Sequence, residues 1–155
     1  MNHGRHNRLF GFEADFSGDL RCIPMAVRRK LDLAGVKLKL VHWHGLSGAE
    51  RHRLLDWSDA REALLELRRW LLERSETLPQ GPARPFDPPC QASWQQGEVF
   101  PEELCRSCRQ LVLTLPAQGW ERLDELERFA LVKLSHPGHE HRNLHRALQE
   151  CGLIP

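Results

Sequence analysis

The sequence predicts an all-α protein made of two pseudo-symmetric three-helix units that arose by internal duplication. Three observations carry this expectation. Apolar residues recur at helical spacing through most of the chain, no window alternates long enough for a convincing strand, and the chain aligns with itself at an offset of 77 residues.

Helical spacing is plainest in DAREALLELRRWLLERSE, which puts Ala60, Ala63, Leu64, Leu67, Trp70 and Leu71 on one face and Arg and Glu opposite. PMAVRRKLDLAG places Pro24 at a first helical position, Val27, Leu31 and Ala34 on the apolar face, and Gly35 as the stop. VKLKLVHW comes nearest to a strand, but its few alternations would leave a lone strand without a partner.

Residues 22–74 align with 99–151 without a gap, and thirteen of the 53 positions are identical, Pro24/Pro101, Trp43/Trp120, Glu50/Glu127, Arg51/Arg128 and Ser58/Ser135 among them. Composition alone would give about four matches. A shared leucine phase does not explain the paired Pro, Trp and Glu-Arg residues. Each unit reads as a Pro-started helix and a connector ending L-x4-W-x2-L. A second helix follows, capped by Ser47 or Asp124 with Glu50 or Glu127 at its third position, and then a Ser-started third helix. Unit one spans about 22–74 and unit two about 99–151, packed together as one domain over 1–155. Residues 75–98 carry five prolines in 24 positions and read as an extended linker that Phe86 and Trp94 could pin down.

With 22 basic and 21 acidic residues interspersed, the chain has no electrostatic footprint for nucleic acid. Its apolar runs fall far short of the ~20 residues a membrane span needs. The first residues lack the apolar core of a secretory signal. Five cysteines, an odd number, in a chain large enough to fold without disulfides point to reduced thiols and a cytoplasmic location.

The cysteines Cys105 and Cys108 have CxxC spacing, but Cys108 falls opposite Leu31, a core position of the equivalent helix. Buried structural thiols are the leading reading; half a metal site and a redox pair are the alternatives. His42 and His44 flank Trp43 and read as surface or interface residues. In KLSHPGHEHRNLHRALQECGL, Ser135 aligns with Ser58, but Pro137 and Gly138 interrupt the helix start, so the last helix is expected from near His139 with Glu140 in its first turn. His141 and His145 lie four apart, a spacing that chelates metals, or else His141 is a hydrogen-bonded core histidine with His145 its partly exposed neighbour. The Pro-Gly-His-Glu turn departs from the sister unit and suits an anion or a partner's carboxylate.

FEADF, LRCIPMAVRRKLDLAGVKLKL and RFALVKLSHPGHEHRNLHRALQECGL together resemble the nitrate reductase-associated protein family. The resemblance covers residues 12–55 and 120–153. It implies an accessory role in making active nitrate reductase. Joined to the all-α duplicated scaffold, the near-neutral charge and the lack of a catalytic constellation, it gives as the leading expectation a binding protein, with no cofactor required, for a cytoplasmic, assimilatory molybdenum nitrate reductase. The implied partner is the apoenzyme or its cofactor-loading machinery. The family-like positions are Phe12, Glu13, Asp15, Arg21, Cys22, Pro24 and Met25 at the front, and Arg128, Phe129, Lys133, Ser135, Pro137, Gly138, His139, Glu140 and Asn143 at the back. The CxxC and the histidines at 136, 141 and 145 depart from the family pattern. A groove between the units, with FEADF adjoining the Pro-Gly-His-Glu turn, is the expected binding site. Two other functions compete: a metal or redox carrier using Cys22, Cys105, Cys108 and the C-terminal histidines, and a small enzyme using His139 and Glu140 as an acid–base pair.

Overall fold

The computed structural model describes residues 6–136 and 141–155, and of residues 141 and 142 the backbone alone. The chain divides into two compact units, Met1–Pro89 and Cys90–Pro155. Both are helical, and the sole sheet among the described residues is a two-stranded ribbon.

In unit one a 3-10 turn at Gly11–Glu13 leads into α1 (Ala14–Ser17), then α2 (Met25–Ala34). Pro24 is the residue before α2, not its first, with extended φ −65°, ψ 155°. The proline lacks an N–H that would go unpaired at a helix start in any case. Gly35 stops α2 at φ +77°, where a side chain would collide with the Phe86 carbonyl and the Arg68 guanidinium. Next come β1 (Val36–Lys37), α3 (Leu40–Gly45), α4 (Gly48–Asp56), α5 (Arg61–Glu76) and β2 (Arg84–Pro85). β1 and β2 pair antiparallel, Val36 opposite Pro85 and Lys37 opposite Arg84. The extended stretch at VKLKL therefore has a partner, contrary to the sequence expectation, and the partner lies in the Pro-rich segment. Arg68 of α5 fastens the ribbon, its Nη1 donating to the carbonyls of Ala34 (3.2 Å), Gly35 (3.3 Å) and Phe86 (3.0 Å). α2 packs against α5 and α4, burying Val27, Leu31, Trp43, Leu54, Leu67 and Leu71. Each such side chain contributes about 1.5–3 kcal/mol of transfer free energy.

In unit two a 3-10 turn at Ser93–Gln95 precedes α6 (Glu102–Gln110), a second 3-10 turn at Trp120–Arg122, α7 (Glu125–Leu134) and α8 (His141–Glu150). Pro101 again stands just before its helix. α7 is the hub, packing against α8, α6 and the Ser93–Gln95 turn. Trp94 is buried there, its ring edge-on to Phe129 at 5.0 Å. Phe86 is not pinned in the same way: its ring is partly exposed, and its backbone N–H, donating to Gly35 at 2.9 Å, makes the attachment.

Both expected capping boxes form. Ser47 Oγ accepts from Glu50 N–H at 3.1 Å while Glu50 accepts from Ser47 N–H at 2.8 Å. Asp124 and Glu127 do the same at 2.8 and 3.0 Å. The serines of the third helices behave otherwise than expected. Ser58 accepts from Ala60 N–H at 3.1 Å in the turn before α5, which begins three residues later at Arg61. Ser135 ends α7 as its C-cap. The connectors are also helical, as α3 in one unit and the Trp120–Arg122 turn in the other, so three helices per unit undercounts the segments.

Candidate functional site

The front set of family-like residues is organised by a buried carboxylate. Glu13 is 1% exposed, its Oε1 accepting from Phe10 N–H at 3.1 Å and its Oε2 from Met25 N–H at 3.0 Å. It thereby ties the N-terminal segment to the first turn of α2, where a negative charge also meets the positive helix end. Between these ties, Asp15 and Arg21 face solvent. Arg21 donates to the Asp15 carbonyl at 3.1 Å and pairs with Asp19 at 2.9 Å. Leu20, just before it, adopts a left-handed φ of 62°, a conformation costing a non-glycine residue about 1–2 kcal/mol. Its carbonyl is held by the Trp43 indole N–H at 2.8 Å and, more loosely, by Arg51 at 3.5 Å. The exposed pair of charges is therefore displayed on a backbone fixed from below.

The back set divides similarly. Arg128 is half-buried and donates to the carbonyls of Trp94 (3.0 Å) and Leu123 (2.8 Å), joining the turns that flank α7. Ser135 is buried, its hydroxyl donating to Val132 at 2.6 Å and its carbonyl accepting from Ser107 at 2.7 Å. The Lys133 ammonium lies over the Phe129 ring at 5.3 Å. Asn143 is half-buried on α8 and His145 is exposed. Pro137, Gly138, His139 and Glu140 lie outside the described residues, as does the side chain of His141. The expected adjacency of the turn with FEADF and the acid–base pair of His139 and Glu140 fall there too.

A model of the conserved nitrate reductase-associated protein family matches residues 9–151. The chain belongs to that family. No curated protein and no solved structure matches it.

In this nitrate reductase-associated protein the second thiol of the CxxC, Cys108, is poorly placed for reactivity. Cys108 is buried on α6, and desolvation, with Cys105 beside it, pushes its pKa up to about 11. At neutral pH it is a protonated thiol, a weak nucleophile. Cys105 is half-buried with its Sγ 3.9 Å from the Phe100 carbonyl. Among the described residues no three His, Cys, Asp or Glu side chains are grouped so as to hold a metal ion, and no helix is long and apolar enough to cross a membrane.

His42 corrects a sequence reading. It is buried, not at the surface, with Nδ1 accepting from Lys39 N–H at 3.1 Å and Nε2 3.0 Å from the Gly81 carbonyl. With Nδ1 accepting, Nε2 is the ring nitrogen left to meet the Gly81 carbonyl as a donor. This ring rivets residues 39–42 to the turn at 78–81. Beside it opens a pocket of about 370 Å³ lined by Lys37, Lys39, His42, Gln80, Pro82 and Arg84. The sequence reading missed this cluster. The alternation of Lys37 and Lys39 was its one signal, since Arg84 joins them through a strand pairing 47 residues distant.

Proposed function

We propose that the protein is an accessory factor for a cytoplasmic, assimilatory molybdenum nitrate reductase, acting by binding the apoenzyme or its cofactor-loading machinery during maturation. Membership of the nitrate reductase-associated family across residues 9–151 carries this reading. It is supported by the way Asp15 and Arg21 are displayed: exposed charges on a segment whose own hydrogen bonds are closed inward through Glu13, Trp43 and Arg51. A rigid, polar, preorganised surface suits protein recognition, because little ordering entropy remains to be lost on binding. The burial and high pKa of Cys108 favour a structural over a redox role for the CxxC.

The scaffold we infer to be an internal duplication. Supporting this are the prolines preceding α2 and α6, the capping boxes of α4 and α7, and the fully buried Trp43 and Trp120. Each indole N–H donates to a backbone carbonyl at 2.8 Å, Leu20 in one unit and Gln96 in the other.

The test is retention of purified apo nitrate reductase on the immobilised protein. The wild type should retain it, and the double substitution Asp15→Lys with Arg21→Glu should weaken retention about tenfold while the protein stays folded, with at most the small fall in thermal midpoint that loss of the exposed Arg21–Asp19 pair brings. Failure of the wild type to retain either the apoenzyme or its cofactor-insertion proteins would overturn the accessory reading. Equal retention by the variant would remove Asp15 and Arg21 from the contact.

A further inference from the structure

The pocket of unit one holds three cationic side chains and is built from two fixed walls. Residues 37–42 form one wall and residues 80–84 the other. They are joined at one end by the β1–β2 pairing and at the other by the His42 ring bridging Lys39 N–H and the Gly81 carbonyl. Lys37 stands directly opposite Arg84 in the antiparallel register. Lys39 is two residues on from Lys37, so an extended backbone turns both to the same face. Directly opposed like charges destabilise a strand pair, and Lys37, Lys39 and Arg84 have no ion pair among the described residues. The arrangement is therefore an unfavourable one for folding, concentrated in a chain whose net charge is only +1. At the positions 77 residues on from Lys37, Lys39 and His42 stand Thr114, Pro116 and Gly119, so the second unit carries none of it.

We propose that this pocket binds a small anion through a phosphate or similar oxyanion group, with Lys37, Lys39 and Arg84 as its ligands and His42 as a positioning residue. A cavity of about 370 Å³ is of small-molecule size. Arg84 supplies a planar fork that matches two oxygens of an oxyanion, and the lysines supply mobile point charges. Gln80 adds an amide donor at the rim. Both ring nitrogens of His42 are engaged with backbone, so its part is to hold Lys39 against the 80–84 wall rather than to touch the ligand. All three cations are exposed, so binding is salt-sensitive. The proposal does not rest on the accessory reading.

Calorimetric titration with inorganic phosphate, nitrate, adenosine monophosphate and a poly-glutamate peptide tests it on the full chain. Saturable binding of phosphate or of the nucleotide is expected, weakened about tenfold or more by Lys37→Gln with Arg84→Gln, and unchanged by Arg69→Gln, which removes a single positive charge from an exposed face of α5. His42→Leu should weaken it while leaving the three cations in place. No saturable binding up to roughly 10 mM, well above the Kd of even a weak site, overturns the proposal. So does binding confined to a poly-glutamate peptide, or equal loss in the Arg69 variant. Thermal melts give an independent readout that survives any defect in the calorimetric variants. Without anion, Lys37→Gln should melt above the wild type because repulsion from Arg84 is relieved, and saturating phosphate should reverse the order. A variant that melts below the wild type at every phosphate concentration would make the cations structural and end the proposal.

Discussion

Lys30 and Ser107 stand 77 residues apart, one on α2 and one on α6, and each supports the end of a following helix by different chemistry. Lys30 is fully buried, and its ammonium donates to the carbonyls of Leu54 (2.8 Å), Leu55 and Trp57 (3.0 Å) at the end of α4, and to Asn7 Oδ1 at 3.0 Å. A cation there also meets the negative end of the helix. Desolvation pushes its pKa down to about 8, against the attraction of Asp59 and Asp56. Ser107 does the corresponding work with one hydroxyl, donating to the Ser135 carbonyl at 2.7 Å beyond α7. The surroundings follow suit. Arg29, beside Lys30, is buried and pairs with Asp59 at 3.1 Å; burial disfavours the Asp59 charge, yet Arg29, with help from His6, holds the carboxyl below its ordinary range. The counterparts Arg106 and His136 are exposed. The same backbone task is thus solved with a charged cluster in one unit and a neutral hydroxyl in the other.

The strongest way to break the comparison is at the position where the units agree. Trp43 and Trp120 are both fully buried with satisfied indoles, so Trp43→Ala and Trp120→Ala should each cost about 3–5 kcal/mol in urea denaturation. A loss under about 1 kcal/mol at either site would mean that the two indoles do not play equivalent parts. The next effect sharpens the difference. Lys30→Met strands several carbonyls and should cost about 2–3 kcal/mol, whereas Ser107→Ala, which removes one hydrogen bond, should cost about 1 kcal/mol. Equal losses would show that the ammonium does no more than the hydroxyl. Comparable to the serine loss is Glu13→Gln. The amide nitrogen cannot accept, so either Phe10 N–H or Met25 N–H loses its acceptor, for about 1 kcal/mol in the same denaturation.

What could be read from the sequence was what local chemistry decides. The prolines before α2 and α6, the Gly35 stop, the capping boxes and the burial of Cys108 opposite Leu31 all depend on neighbours within one turn or on helical phase. The misjudged residues depend on distant partners. His42 is buried because the Gly81 carbonyl reaches its ring from 39 residues away. Lys37 gains Arg84 only through the ribbon. Glu13 is singled out through the family resemblance alone; nothing local announces that it is buried and spans Phe10 and Met25. For the candidate site, the sequence could therefore supply the residue types but not which of them face outward.

The smallest contrast is an electrostatic one at the ends of α5 and α8. Arg74 grips Glu50 with two hydrogen bonds, Nε to Oε2 at 2.7 Å and Nη2 to Oε1 at 3.1 Å. The bond from Arg74, with the Ser47 amide and against some desolvation, lowers the Glu50 pKa to about 2 from the ordinary 4.5. At the position 77 residues on from Arg74 stands Cys151, whose thiol is pushed above its ordinary range by burial and then by the Glu127 carboxylate. Glu127 thus meets a neutral thiol where Glu50 meets a guanidinium. Between pH 4.5 and 2 the unfolded chain binds the proton that folded Glu50 refuses, so stability from this group is complete above that window and is lost as pH falls through it. Because the pair is partly exposed, solvent screening reduces the effect to about 1 kcal/mol or less. Urea midpoints followed across the window should fall in the wild type, and the part due to Glu50 should shrink in Arg74→Leu, where the Ser47 amide alone remains, and persist in Cys151→Ala. An acid limb that is identical in wild type and Arg74→Leu would show that the capping box alone holds Glu50 ionised, and the two units would then be alike at this position after all.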